Sequence, residues 1–326
     1  MSSHSSGQLP APQESNLESD GLPSVAVVIV HWMNNSDTVE CLRSLAQVDY
    51  PRLSVILVNN CSPDFEESSV RRAFPTIQII TSDENLGFAG GNNLGITRAL
   101  EEGYDLIFML NPDTVVRRDL IRILLPELEE PGVGIVGPII TYYDAPDTIW
   151  FAGGIYSRLV GSPRQPLMNR RLRSSVGTHP VDWLNPCAWL AKREVFAAVG
   201  GFWEELFLYF EDLEFCLRVG SAHYRCVQVD EPLVRHKVSA SAGIRGTNHF
   251  SPDKAYYFGR NPFHLLRRHA SGVWKVSGLL GQFLVVFPYW AIKSMLGNNT
   301  KVLPDYVIGM WDGLWGRTGK RPFKTG

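Results

Sequence analysis

Short apolar runs punctuate the first half of the chain at Val25–Val30, Leu53–Val58, Ile77–Ile80, Leu106–Leu110 and Gly134–Thr141. Runs of this length, bounded by turn residues, read as strands buried on both faces. Between the first two, Asn35-Ser36-Asp37-Thr38 supply helix-capping side chains ahead of Val39, Leu42, Leu45 and Ala46, which recur at helical spacing. Further helices are expected over Ser68–Phe74, from the segment Asn85–Asn93, which opens one, to about Leu100, over Asp119–Leu128 and Lys192–Val199, and from Glu211-Asp212 onward. Tyr224–Val229 reads as a later strand, and a short extended run ends at Val234-Arg235-His236-Lys237. Strands alternating with helices predict an α/β fold: a doubly wound, mostly parallel sheet flanked by helices.

The pattern also places polar residues where chemistry is expected. Leu106–Leu110 runs straight into Asn111-Pro112-Asp113. Pro112 cannot continue a ladder, so Asp113 falls at a strand's carboxyl end, where open α/β sheets bind ligands. A carboxylate there can hold a divalent cation and, through it, phosphates; read alone, the tripeptide is equally an ordinary turn. The second strand gives way to Asn59-Asn60-Cys61-Ser62-Pro63-Asp64, a polar loop suited to a base and a ribose. Gly90-Gly91 permits the close backbone approach that phosphate or sugar sites often require. His31-Trp32-Met33-Asn34 follows the first strand, so there is no dinucleotide fingerprint there, and no P-loop motif occurs in the chain. In Phe207–Arg218, aromatic residues lead into Glu211-Asp212 at a predicted helix start. That position favours ionised carboxylates, as plain caps or as a general base within reach of an acceptor. Ser157–Pro180, with Arg164, Arg170, Arg171 and Arg173, is either a solvated loop or a lid over an anionic ligand.

Composition narrows the partners. The 326 residues carry a formal net charge of −2, so nothing points to nucleic acid. Cys41, Cys61, Cys187, Cys216 and Cys226 form no CxxC pair and suggest reduced thiols in a cytoplasmic compartment. Residues 1–22 read as a disordered tail without the apolar stretch of a secretory signal. From Asp253 the chain turns helical, with Arg260, Arg267, Arg268 and His269, and then strongly apolar over Val273–Leu296. A bilayer span needs about 20 apolar residues, and Lys275, Gln282, Pro288 and Lys293 interrupt this one. With Trp274, Tyr289 and Trp290 suited to an interface, an in-plane, membrane-associated helix is expected; a buried core helix is the alternative.

Taken in order, VVIVHWMN, VILVNNCSPD, ENLGFAGGNNLGI, FMLNPDTVV, WLAKREVFAAVGGFWEELFLYFEDLEFCLR, VRHKVSASAG and YYFGRNP resemble the family 2 glycosyltransferases, closest to their bacterial rhamnosyltransferase-like branch, from about Val25 to Pro262. The resemblance implies a GT-A fold, assigned to 23–250, and the apolar run described above makes 251–326 a helical, membrane-associated extension. It implies a nucleoside-diphosphate sugar donor, dTDP- or UDP-linked and in first place dTDP-rhamnose. It also implies Mg²⁺ or Mn²⁺, inversion at the anomeric carbon, and a glycan or polyprenyl-linked acceptor in surface polysaccharide synthesis at the inner face of the plasma membrane. On this pattern Asp113 is the metal ligand of the DxD-type motif, with Asn111 in the place of its first acid. His236 reaches the metal or the diphosphate, and Asp212 is the catalytic base. Asn59, Asn85, Gly90 and Asn93, with Asn111, are expected at the donor; Trp183, Tyr209 and Glu211 are expected at the acceptor. Asn59 departs from the usual aspartate, yet its amide oxygen still accepts a hydrogen bond. Met33 and Trp203-Glu204 depart as well, away from the chemistry. A nucleotidyltransferase would leave Glu211-Asp212 and His236 without a task. A non-catalytic scaffold or carbohydrate-binding protein is suggested only by Asn59.

Overall fold

The computed structural model describes residues 21–172, 175, 177–238 and 251–321. The expected tail up to residue 20, Arg173, and the stretch 239–250 that holds SASAG lie outside the described residues. Strand β1 (Val25–His31), helix α1 (Asn35–Leu45), β2 (Leu53–Asn60), α2 (Glu67–Ala73), β3 (Gln78–Ser82), α3 (Gly87–Glu101) and β4 (Leu106–Leu110) alternate as predicted. After a tight turn come β5 (Thr114–Val116), α4 (Leu120–Glu129), β6 (Val133–Tyr142) and β7 (Ile149–Phe151). The basic stretch is not one loop. It holds the second strand of a hairpin, β8 (Ile155–Ser157) with β9 (Ser162–Arg164), and the start of β10 (His179–Val181). Then follow β11 (Ala188–Lys192), α5 (Arg193–Val199), α6 (Glu211–Ser221) and β12 (Arg225–His236).

One large sheet runs in the order β10-β12-β6-β11-β4-β1-β2-β3, with β5 on β12 and β7 on β6. The block β3-β2-β1-β4 is parallel, and β11 enters antiparallel between β4 and β6. Strand β1 is buried along its whole length, as a central parallel strand covered by helices on both faces must be. Two sequence expectations shift. The second strand reaches Asn60, so the polar loop starts only at Cys61. The runs before and after Val229 form one strand, because β12 follows β6 through irregular register at Val229/Pro232 and Pro232/Val234. Those shifts let a strand containing Pro232 continue to His236.

The core behind the later strands is aromatic. Trp189 and Phe215 stack at 5.8 Å and 11°, with Phe196 and Phe202 packed against them. Each such side chain, fully buried, contributes about 1.5–3 kcal/mol. The cluster ties α5 and α6 to β11 and gives the start of α6 a rigid back.

The chain ends in helices α7 (Pro252–His269), α8 (Gly272–Gly281), α9 (Phe287–Leu296) and α10 (Leu303–Trp315). A π-turn at Gln282–Val286 joins α8 and α9 into one helical run of 25 residues, Gly272–Leu296. It is long and apolar enough to cross a membrane by length and composition. Only 22% of its apolar window is buried, which removes the core-helix alternative. Helix α7 is different: Arg260 and Asn261 are fully buried, and Leu265 belongs to the main core.

Candidate active site

The turn between β4 and β5 sets Asp113 beside the end of β12. Thr114 pairs with His236 across the β5–β12 ladder, and Lys237 N donates to Asp113 O at 3.0 Å. The side chains meet: His236 Nε2 lies 3.0 Å from Asp113 Oδ1, and both residues are buried. Burial alone would raise the Asp113 carboxyl, but the His236 charge overrides it and holds the group below the usual aspartate range. Burial would lower the imidazole, and the Asp113 charge instead drives it well above the ordinary histidine value. His236 Nδ1 is buried with no hydrogen-bond partner among the described residues, and Trp150 stands edge-on to the ring at 4.2 Å. Lys237 reaches back to Asp37 and Glu40 on α1, pinning the strand end.

Asn111 N is held by Cys187 O at 3.0 Å, and Asn111 O accepts from the Thr114 hydroxyl at 2.7 Å, which leaves the Asn111 side chain toward the cleft. Among the described residues no three His, Cys, Asp or Glu side chains cluster as a complete metal cage. A carboxylate and an imidazole opening on a cleft nevertheless fit Mg²⁺ or Mn²⁺, since such ions take one or two protein ligands and fill the remainder with phosphate oxygens and water.

The second acidic centre sits on a strained turn. Phe207, Tyr209 and Phe210 have φ of 63°, 65° and 71°. Left-handed backbone at non-glycine residues costs on the order of 1 kcal/mol or more per residue and persists only where neighbours impose it. Here α7 imposes it. The Asn261 amide nitrogen donates toward Tyr209 O at 2.7 Å, Leu208 O at 2.9 Å and Leu206 O at 3.2 Å, and Arg260 Nη2 donates to Leu206 O at 2.9 Å. From the other side, Phe88 N donates to Phe207 O at 2.9 Å. A Cβ on Gly87, itself at φ +73°, would stand 2.4 Å from that oxygen. Replacing Asn261 by leucine strands these buried carbonyls, at about 1–3 kcal/mol for an orphaned group. We expect a lower melting temperature together with reduced turnover, read by calorimetry and by steady-state kinetics.

The turn delivers Glu211 and Asp212 to the first turn of α6, both in the cleft. Asp212 Oδ1 accepts from Leu213 N at 2.7 Å, and its Oδ2 accepts from Asn185 Nδ2 at 3.3 Å. Burial raises Asp212 to about 6, and burial with the Asp212 charge raises Glu211 well above its usual value. Both carboxyls therefore hold their protons to higher pH than ordinary acids do, and Glu211 Oε2 is buried with no partner among the described residues. The next acid, Glu214, belongs to the scaffold. It is fully buried against Arg218 and His269, the latter at the end of α7.

A cleft of about 1580 Å³ connects these centres. Asn85, Asn111, Asp113, His236, Trp183, Tyr209, Glu211 and Asp212 all line it. Asn59, Gly90 and Asn93 do not. Asn59 Oδ1 is taken by Ser62 N at 3.0 Å, so the amide shapes its own turn. Asn60 lines the cleft instead and binds Leu86 N, Gly87 O and Asn85. Asn93 clamps the Gly201–Glu204 segment through Phe202 N, Phe202 O and Glu204. The glycine pair serves packing. A Cβ on Gly91 would meet Val30 at 2.9 Å, and one on Gly90 would meet Leu86 at 2.9 Å. Of the basic stretch, Arg164 reaches the cleft on β9. The sequence reading missed Asn185, Trp150 and Lys254. Asn185-Pro186 is a turn signal that marks the first, whereas nothing in the pattern marks the other two.

Comparisons with known proteins bear on the family and the fold. The family model described as "Glycosyl transferase family 2" matches residues 26–200. The chain is 28% identical over 279 residues to an N-acetylglucosaminyl-diphospho-decaprenol L-rhamnosyltransferase of Mycobacterium tuberculosis, covering 78% of this chain and 87% of that protein. It is 26% identical over 255 residues to the dTDP-rhamnosyl transferase RfbF of Shigella flexneri, covering 74% and 80%. Among solved structures, the mannosyltransferase PcManGT of Pyrobaculum calidifontis, in complex with GDP-Man and Mn²⁺, superposes with a TM-score of 0.57 at 15% identity over 92% of this chain and 89% of that one. Staphylococcus aureus TarS with UDP-GlcNAc gives 0.57 at 14% identity, over 90% and 81%. At such identities these structures speak for the fold alone, which is GT-A.

Proposed function

The chain belongs to glycosyl transferase family 2 and is a glycosyltransferase; from that premise we propose that it is an inverting, metal-dependent enzyme that moves a sugar from a nucleoside-diphosphate donor to a hydroxyl of a glycan or lipid-linked acceptor. The observation that carries this reading is the buried Glu211-Asp212 pair, with Asp212 raised to about 6, in one cleft with the Asp113–His236 pair. The named relatives make rhamnose the first sugar to try, with dTDP as its carrier and UDP next.

In the reaction, the acceptor oxygen forms a bond to the anomeric carbon as the bond from that carbon to the diphosphate breaks. Asp113 and His236 would hold Mg²⁺ or Mn²⁺ at the donor, where the ion would offset the charge gained by the departing diphosphate. Asn111 and Asn85 orient the donor beside them. Asp212, ionised and fixed by Leu213 N and Asn185, takes the acceptor proton. Glu211 presents the unpartnered Oε2 of its carboxyl to the acceptor, and Tyr209 and Trp183 offer ring faces to a sugar and exclude water. Residues 23–250 carry this chemistry in our reading, while α7–α10 brace the acid turn and face the membrane at its cytoplasmic side.

A base near 6 predicts a pH profile: kcat/KM rises with pH through about 6 and levels off above it, since only ionised Asp212 accepts the proton. The function itself is tested by nucleoside diphosphate release from dTDP-, UDP- and GDP-sugars with Mg²⁺, Mn²⁺ or EDTA. Metal-dependent release from one donor is expected. Absence of both release and calorimetric donor binding would turn the reading toward a non-catalytic, carbohydrate-binding role.

A further inference from the structure

Of the buried α7 residues Tyr256, Tyr257, Gly259 and Arg260, none has a part in the mechanism above. Arg260 is fully buried, and backbone carbonyls from two distant segments hold its guanidinium. Nη1 donates to Gly319 O at 2.6 Å, and Nη2 donates to Leu206 O at 2.9 Å and to Glu205 O at 3.4 Å. The Tyr257 and Tyr256 rings lie 4.8 and 5.4 Å from it. A buried charge is tolerable only while such partners stay in place.

Gly319 belongs to a strap over 317–321 that follows α10. Its own N–H donates to Glu205 O at 2.7 Å, so the strap and the entry to the acid turn share a direct bond as well as Arg260. The strap is fastened at both ends. At the first, Arg317 N donates to Asp312 O at 2.9 Å, and His264 Nε2 donates to Arg317 O at 2.8 Å. At the second, Arg321 N donates to the Tyr257 hydroxyl at 2.9 Å, while its side chain pairs with Asp305 and Asp253. The Tyr257 ring stacks on Phe207, the first left-handed residue of the acid turn, at 5.7 Å and 24°. Lys320 and Arg321 line the cleft.

Three glycines let α10 deliver the strap. A Cβ on Gly309 would stand 2.0 Å from Tyr256 O, one on Gly259 2.2 Å from Tyr306 O, and one on Gly313 2.5 Å from Arg260 O. Backbone meets backbone there, which only glycine allows.

We infer that the strap 317–321 is a working part of the active site, and that Arg260 is the positioning residue through which it holds the turn that aims Glu211 and Asp212. The inference rests on the glycosyltransferase reading and deepens it. Left-handed backbone at Phe207, Tyr209 and Phe210 persists only where neighbours impose it. Asn261 imposes it between Leu206 and Tyr209; the strap closes the near end, at Glu205 and behind Phe207. A loosened strap takes Gly319 O away from Arg260, and the guanidinium then shifts or draws in water, with Leu206 O attached to it. A misaimed acid turn costs turnover rather than donor binding, because the Asp113–His236 pair stands at the β5–β12 edge.

The test is Gly319→Pro in the full chain. Proline removes the N–H that Glu205 O accepts and cannot take the Gly319 φ of +79°, and the position lies outside the cleft lining. Hydrogen exchange is expected to quicken over 204–213 and to stay unchanged over 106–116 and 225–236. With the nucleotide sugar that the wild type accepts from the panel above, kcat is expected to fall about ten- to a hundredfold, the scale of a misplacement of about 1 Å. Donor KM and calorimetric donor affinity are expected to hold. Gly319→Ala keeps the N–H and its Cβ meets nothing within 4 Å, so it is expected to recover much of the loss. Should the proline variant fold poorly by circular dichroism, Arg321→Ala, which frees the far end of the strap, carries the same exchange and kcat readouts. Unchanged exchange over 204–213, or a fall in kcat matched by an equal loss of donor affinity, would overturn the positioning role. So would exchange that quickens throughout the sheet, the mark of lost stability alone. A wild type that neither binds nor cleaves any nucleotide sugar would instead overturn the glycosyltransferase reading, and the exchange measurement needs no donor.

Discussion

Asp212→Asn is expected to lower kcat by about 10²–10⁴, the usual contribution of a positioned general base, while leaving donor affinity nearly unchanged. The amide keeps the shape of the carboxylate and can still meet Asn185 and Leu213 N, so the cleft stays formed. What disappears is the group that takes the proton. The same substitution is expected to stabilise the fold. A carboxyl whose folded pKa stands above its unfolded value contributes fully below the unfolded value and loses that contribution as pH rises through the folded one. For Asp212 this window runs from the ordinary aspartate range up to about 6, so at neutral pH the ionised side chain is a net cost. One pKa unit is worth about 1.4 kcal/mol, and a gain on the order of 2 kcal/mol is expected for the variant at pH 7, shrinking toward pH 4. Steady-state kinetics and thermal melts at both pH values read the two effects from one protein. A variant that is slow and no more stable would place Asp212 outside the strained, buried setting described above. A variant that is fast would remove it from the chemistry. Stored instability at a working group is the usual form of the trade between stability and activity.

Much of this arrangement was legible before any coordinates. The apolar runs from Val25 to Leu110 predicted the parallel half of the sheet because burial on both faces leaves a continuous hydrophobic signature. The Asn111-Pro112-Asp113 break placed Asp113 at a strand's carboxyl end for the same local reason: proline ends a ladder. Long-range pairings were illegible. Nothing in the sequence announces that β11 enters antiparallel, or that β12 passes Pro232 on register shifts to bring His236 onto Asp113.

The site misses have one physical cause. Asn59, Gly90 and Asn93 are polar or permissive residues at strand and helix ends, which suits a ligand and suits the backbone equally well. In the fold the backbone takes them: Asn59 closes a turn, Asn93 clamps Phe202, and the glycines let α3 press on β1 and on its own preceding residue. Asn261 shows the reverse. It lies inside what the sequence presents as a C-terminal extension, yet its amide nitrogen holds the backbone that aims Glu211 and Asp212. A boundary drawn at residue 250 therefore separates chain segments and not tasks.

Asp113→Ala is expected to abolish the metal dependence of donor binding. In the wild type, chelator should weaken binding of the preferred nucleotide sugar; in the variant, affinity with Mn²⁺ should fall to the chelated level. Truncating one member of a buried, hydrogen-bonded charge pair typically costs 2–5 kcal/mol, about 30-fold or more in affinity. The loss divides into two parts that a second variant separates. Without Asp113, His236 loses the charge that raises its pKa, while burial continues to press it down. Part of the effect could therefore be a disturbed β5–β12 edge. Asp113→Asn preserves the volume and a hydrogen bond to His236 Nε2 but supplies no negative charge, so it reports the electrostatic part alone. If both variants lose metal-dependent affinity while their melting temperatures differ, the carboxylate charge is the binding element. If Asp113→Asn binds donor as the wild type does, with and without EDTA, Asp113 serves only to anchor His236, and the cation must be sought elsewhere along the cleft.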